Sequence, residues 1–135
     1  MKLGVFTVLL GEKPLGEACA YLRRAGVTAV EIGCGGHPGR AHCDPKALLS
    51  SPEKLAAFRA AIEDNGLTLA ALSVHGNGVH PDPAVAKAAN DDFLDACLLA
   101  EKLGVGTVVT FSGCPGGCPS DRTPNWVTCP WPDDF

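Results

Sequence analysis

Two side chains stand where idle charge or polarity is costly: Glu31 in "AVEIGCGG" and His75 in "ALSVHGNGVHPD". Each closes a short apolar run, and polar or glycine residues follow. A carboxylate at the end of a buried run must be paired or hydrogen-bonded. Glu31 therefore contacts a substrate hydroxyl, braces a catalytic group, or serves as a structural charge paired inside the fold. An imidazole in such a place can bind a substrate oxygen, bind a metal or shuttle a proton. The plainer role for His75 is to order the loop "HGNGVHP", and His80, next to Pro81, reads as an anchor of that loop.

Two further clusters carry reactive types. Cys34, His37, His42 and Cys43 lie in "GCGGHPGRAHCDP", whose spacing matches no standard zinc pattern and suits a loop covering a substrate. Arg40 there can meet a phosphate or remain solvated. Cys114, Cys118 and Cys129 form C-x3-C-x10-C, wider than the paired spacing of structural zinc, and read as free thiols in a loop. Spacing assigns no nucleophile–base pair, and neither a P-loop nor a basic-aromatic nucleic-acid motif is present.

Length and composition bound the answer. At 135 residues, net charge −4 and 46% hydrophobic content, a single globular domain is expected. No apolar run approaches the roughly 20 residues of a membrane span. The opening "MKLGVFTVLLGEK" has a short apolar part with no small-residue cleavage site, so it reads as a strand and the protein is expected to be cytoplasmic. Mild acidity argues against a nucleic-acid groove. Seven cysteines are an odd number; Cys19 and Cys97 fall in helical apolar patterns, and reduced thiols are the expected state.

The elements that must position these groups repeat one grammar. "AGVTAVEIG", "NGLTLAALSVH" and "LGVGTVVTFSG" each begin with a glycine able to end a helix, then an apolar β-branched run, then polar residues. "KLGVFTVLLG" is the same strand without the preceding helix. Between them lie helices. Leu15, Ala18, Cys19 and Leu22 mark one apolar face. Ser51 and Pro52 open a second helix with the stripe Leu55, Phe58 and Ile62. A third runs from Asp82-Pro83 to Leu103. The predicted order is four strands alternating with three helices, then a long loop over 113–135.

Such alternation implies parallel pairing with right-handed crossovers. "LLGEKPLGEA" lacks the G-x-G-x-x-G of a doubly wound nucleotide fold. Strand alternation places Val27, Ala29 and Glu31 on one face, Ala71, Ser73 and His75 on another, and Val108, Thr110 and Ser112 on a third, each turning polar towards its C-terminal end. A barrel interior does this at its active-site mouth. The reading is α/β: a parallel half-barrel, the first four strands of a TIM-type (β/α)8 barrel, whose full form has about 250 residues. Phe6 and Thr7 end the first strand, Ser112 is read as inward at the end of the fourth, and Trp126 and Trp131 as walls of a pocket. Phe6, Ser112 and Trp126 are thus candidate substrate contacts, core packing being the plain role for Phe6. A chain cut after the fourth strand is expected to be a fragment that self-associates, with Val27, Ala29, Leu69, Ala71 and Val108 on the opened inner face.

With these segments placed, "KLGVFTVLL", "AVEIGCGG", "ALSVHGNGVHPD" and "AEKLGVGTVVTFSGCPG" running into "PNWVTCPWP" resemble the sugar phosphate isomerase/epimerase family of the xylose isomerase-like barrels. The resemblance runs over essentially the whole chain. It implies proton or hydride transfer between adjacent carbons of a sugar or sugar phosphate, assisted by a divalent metal (Mn, Mg, Co or Zn) that chelates substrate oxygens. It also implies that the usual metal ligands sit on later strands, so none is assignable here and the isolated chain is expected to be inactive. It implies a small-molecule substrate, with no nucleic acid or membrane partner and room for a homo-oligomer. The superfamily's apurinic endonucleases, and a non-catalytic half-barrel that binds zinc or a partner chain, are the alternative readings.

Overall fold

The computed structural model describes residues 3–125. Trp126, Cys129 and Trp131 lie outside the described residues. The elements are β1 (Gly4–Phe6), a 3₁₀ turn (Thr7–Leu10), α1 (Leu15–Arg24), β2 (Ala29–Gly36), α2 (Pro45–Leu49), α3 (Pro52–Glu63), β3 (Thr68–His75), α4 (Pro83–Leu103) and β4 (Val108–Thr110). The strands form one parallel sheet in the order β1-β2-β3-β4. Each crossover moves one strand further in the same direction, as in a barrel, and the chain is a parallel half-barrel. Residues 111–125 form neither helix nor strand.

Local chemistry sets the helix ends. Ser51 accepts the Lys54 N–H at 3.2 Å, with Pro52 following it. Asp82 accepts the Ala84 N–H at 2.8 Å ahead of α4. Gly104 ends α4 in the left-handed conformation, φ 71°. One helix was expected between β2 and β3, and the structure has two. Asp44 caps α2 through the N–H groups of Lys46 and Ala47. A five-residue helix is too short to display an apolar period, so only its Asp-Pro start was visible in the sequence.

Side chains in register across a sheet share a face. Phe6 pairs with Glu31, Glu31 with Ala71, Gly33 with Ser73, and Ser73 with Val109. These residues make the inner face, as alternation predicted for Glu31, Ala71, Ser73 and His75. The opposite face carries Val30, Ile32, Leu72 and Val74, all buried under the helices with Ala96 and Leu99 of α4. Burying each Ile, Leu or Val there stabilises the fold by about 1.5–3 kcal/mol.

Two expectations about faces are corrected. Leu69 is in register with Val30 while Ala71 is in register with Glu31, so Ala70 is an extra residue in a bulge. Leu69 therefore packs with the helix-side core, as does Val27, which precedes β2. On β4 the parity is opposite to the one expected. Val108 pairs with the core residue Leu72 and packs with that core, whereas Val109 faces inward beside Ser73. Ser112 is consequently not the inward residue at that strand end. Among the described residues no helix is long and apolar enough to cross a membrane.

Candidate functional site

The inner face ends in a carboxylate, a hydroxyl and an imidazole. Glu31 on β2 and Ser73 on β3 are brought together by the register, and the Ser73 hydroxyl donates to Glu31 Oε1. Ser73 is fully buried, so its hydroxyl has no water to bond and must take this partner. Glu31 is half-buried, leaving it reachable from the mouth.

His75 lies two residues further along β3. Its ring stacks on Phe111, with centroids 4.4 Å apart and planes 15° apart. Phe6 flanks it with centroids 6.1 Å apart. Its Nε2 is buried without a hydrogen-bond partner among the described residues. Burial pushes the imidazole below its ordinary value of 6.5, and nearby His37 adds to this, while the charge of Glu31 acts in the opposite sense. Burial thus favours the neutral ring, in which one nitrogen is free to accept a proton.

That shift has a measurable sign. The unfolded chain binds a proton at His75 more readily than the folded one. The stabilising contribution is complete above the unfolded value near 6.5 and is lost as pH falls through the folded value below it. Proton NMR of the His75 ring is expected to give a midpoint below 6.5. A midpoint at or above that value would mean that Glu31 outweighs burial.

Phe111 holds the position that the sequence reading gave to Ser112. Ser112 is exposed, and Phe111 reaches the imidazole. Phe6 stands where predicted, and Trp126 lies outside the described residues. Ser73 was missed as a functional residue, although its polarity in an apolar run two places before His75 was a usable sign. Asp92 carried no sign at all. It lies on α4, yet its carboxylate accepts from Arg40 at 2.5 Å and from the Gly36 N–H at 3.3 Å, tying the loop after β2 to that helix. Arg40 is thus engaged in an ion pair.

The loop after β2 is pinned a second time. His42 Nε2 lies 2.8 Å from the Lys13 carbonyl, which can only accept, so the ring proton sits on Nε2. In the neutral ring Nδ1 then accepts from the Thr7 hydroxyl at 3.1 Å. Thr7 is fully buried, so His42→Ala would leave a buried hydroxyl without its partner. A destabilisation of about 1–3 kcal/mol is expected. Chemical denaturation checks it; an unchanged midpoint would show that the loop does not depend on this clasp.

The cysteines of this loop belong to the core. Cys34 and Cys43 are buried, and the interaction of the two thiols pushes the Cys34 value down and, with burial, the Cys43 value up. Cys118 is exposed and donates to Asp121 Oδ1 at 3.1 Å. The described residues contain no group of three or more His, Cys, Asp or Glu that could hold a metal. The orphan Nε2 of His75 suits a ligand or a substrate atom. With Glu31 it offers two donors, fewer than a divalent ion requires.

The loop after β3 is fixed to the one after β4. Asn77 donates to the Cys114 carbonyl at 2.8 Å and accepts the Cys114 N–H at 3.0 Å. His80 anchors the same loop as expected, its Nδ1 accepting the Asp82 N–H at 2.9 Å.

A family model described as xylose isomerase-like TIM barrel matches residues 19–128. A protein of Bacillus subtilis (strain 168), named as the uncharacterized protein YfiH, is 36% identical over 135 residues. The match covers 98% of this chain and 42% of that relative, so the chain spans less than half of the relative's length.

Proposed function

The chain belongs to the xylose isomerase-like TIM barrel family, and from that premise we propose that it forms the Glu31–His75 side of a sugar isomerase or epimerase site. The observation that supports this best is the buried, unpartnered Nε2 of His75, beside a carboxylate braced by Ser73. A merely structural histidine would use that nitrogen.

In this reading neutral His75 removes a proton from the carbon next to a substrate carbonyl. The C–H bond breaks, an N–H bond forms, and the electron pair moves into an enediolate. The imidazolium exchanges its proton with solvent. For isomerisation it then protonates the neighbouring carbon, while the hydroxyl proton of the enediolate passes by way of Glu31 from one oxygen to the other; for epimerisation a second acid protonates the original carbon on its opposite face and His75 gives up the first proton to solvent. Glu31 accepts a substrate hydroxyl and favours the transient imidazolium electrostatically. Phe6 and Phe111 offer apolar faces to the sugar ring's C–H side. The family resemblance implies a divalent metal for such an enzyme. The two donors present here do not make such a site, so no step is routed through one.

The test joins residues 1–135 to the part of the Bacillus subtilis relative that this chain does not cover. The chimera is offered a panel of aldoses and ketoses in deuterated water, with divalent metal added. Deuterium is expected to enter at the carbon next to the carbonyl of one substrate. A folded chimera that labels none of them would overturn the proposal. The chain by itself is expected to give no turnover, because the other side of the site is lacking.

A further inference from the structure

A cavity of about 720 Å³ opens on the α4 side of His75, between the loop after β3 and residues 122–123. One wall is the alanine-rich first half of α4. The polar groups on the other walls differ in hydrogen-bonding state. Among the described residues most side-chain acceptors are engaged, Asp82 Oδ2 and the Nε2 of His75 excepted. Asp92 serves Arg40 and the Gly36 N–H, Asp82 caps α4 through the Ala84 N–H, and Asn77 Oδ1 takes the N–H groups of Cys114 and Val79.

The donors are not. Because His80 Nδ1 accepts the Asp82 N–H at 2.9 Å, the proton of the neutral ring sits on Nε2. Arg122 makes no ion pair among the described residues. Thr123 adds a hydroxyl, and His37 and His75 stand where the cavity meets the candidate site. A ligand that leaves such donors unmatched binds poorly, since each loses its water without gaining a partner. The wall therefore calls for an acceptor-rich group, and the guanidinium for a negative one.

We propose that this cavity binds an oxyanion, a phosphoryl or carboxylate group, with Arg122 supplying the charge and the His80 Nε2–H and Thr123 hydroxyl the directed hydrogen bonds. The apolar α4 wall then carries the adjoining carbon chain. The inference rests on the proposed function only in making that anion one end of the molecule whose other end reaches His75.

The test needs no turnover. Inorganic phosphate and malonate are titrated separately into the 135-residue chain while its histidine ring resonances are followed by NMR. Saturable shifts of His80 and His37 are expected, with His42, pinned in its own loop, unmoved. Arg122→Gln is expected to weaken binding by about tenfold or more, and Arg122→Lys by less. Tighter binding of phosphate identifies a phosphoryl group, and tighter binding of malonate a carboxylate. No saturable shift with either anion overturns the site, as does unchanged affinity in an Arg122→Gln variant whose spectrum is that of the folded chain. A chain that binds anion while the chimera exchanges no deuterium overturns the proposed function alone. An active chimera with an anion-blind cavity overturns this inference alone.

Discussion

Replacing His75 by alanine is expected to lower turnover of the chimeric barrel on the order of 10²–10⁴-fold, the usual contribution of a positioned general base. Stability is expected to change little. Among the described residues the ring makes no hydrogen bond through its buried Nε2, and its packing partners are Phe111 and Phe6 at the rim. Losing an aromatic stack costs about 0.5–1.5 kcal/mol. His75→Gln separates the roles further, because it keeps polar bulk and removes the titrating base. It should match alanine in turnover and the parent protein in Tm. A markedly lower Tm with normal turnover in either variant would make His75 a structural residue and transfer the proton step elsewhere.

Gly36→Ala is expected to be the most damaging small substitution at the site. Gly36 has φ +61°, and a Cβ there would lie 2.1 Å from the His75 carbonyl oxygen. That oxygen also accepts the His37 N–H at 2.9 Å. The backbone of β2 must therefore retreat from the end of β3, carrying Glu31's strand away from His75's. A loss of about 3 kcal/mol or more is expected from the conformation and the clash together. Gly26→Ala is the control. Gly26 has φ +83° but no heavy atom within 4 Å of the added carbon, so only the conformational cost of about 1–2 kcal/mol applies. Equal losses in the two variants, read by chemical denaturation, would show that the close approach at Gly36 does not matter.

How much of this was legible in the chain alone depends on the range of the interaction. The three longer helices were legible because their determinants are local; α2 was not. Ser51-Pro52 and Asp82-Pro83 mark starts, and Gly26, Gly66 and Gly104 mark ends, all three at positive φ. The strands were legible as apolar runs, and strand–helix alternation implied parallel pairing. Glu31 and His75 were legible because a charge or an imidazole at the end of such a run has few ordinary explanations.

The faces were another matter. A side chain's face follows from backbone register, which is set by a neighbouring strand tens of residues away. Period-two counting survives in β2 up to Glu31 and in β3 beyond Ala71, so Glu31, Ser73 and His75 fell on the correct side. It fails at Ala70, where a bulge adds one residue and turns Leu69 to the helices. It fails again in β4, where three paired residues carry too little pattern and the polarity of Thr110 and Ser112 suggested the wrong face. The pairing of Ser73 with Val109 is what sends Phe111, rather than Ser112, onto the His75 ring. The sequence by itself determined which residues could do chemistry and at which end of the sheet they lie. Only the tertiary structure decided their partners: Ser73 for Glu31, Phe111 for His75, Asp92 for Arg40. Each of these contacts joins segments 36 to 52 residues apart, and no local preference encodes a distance of that kind.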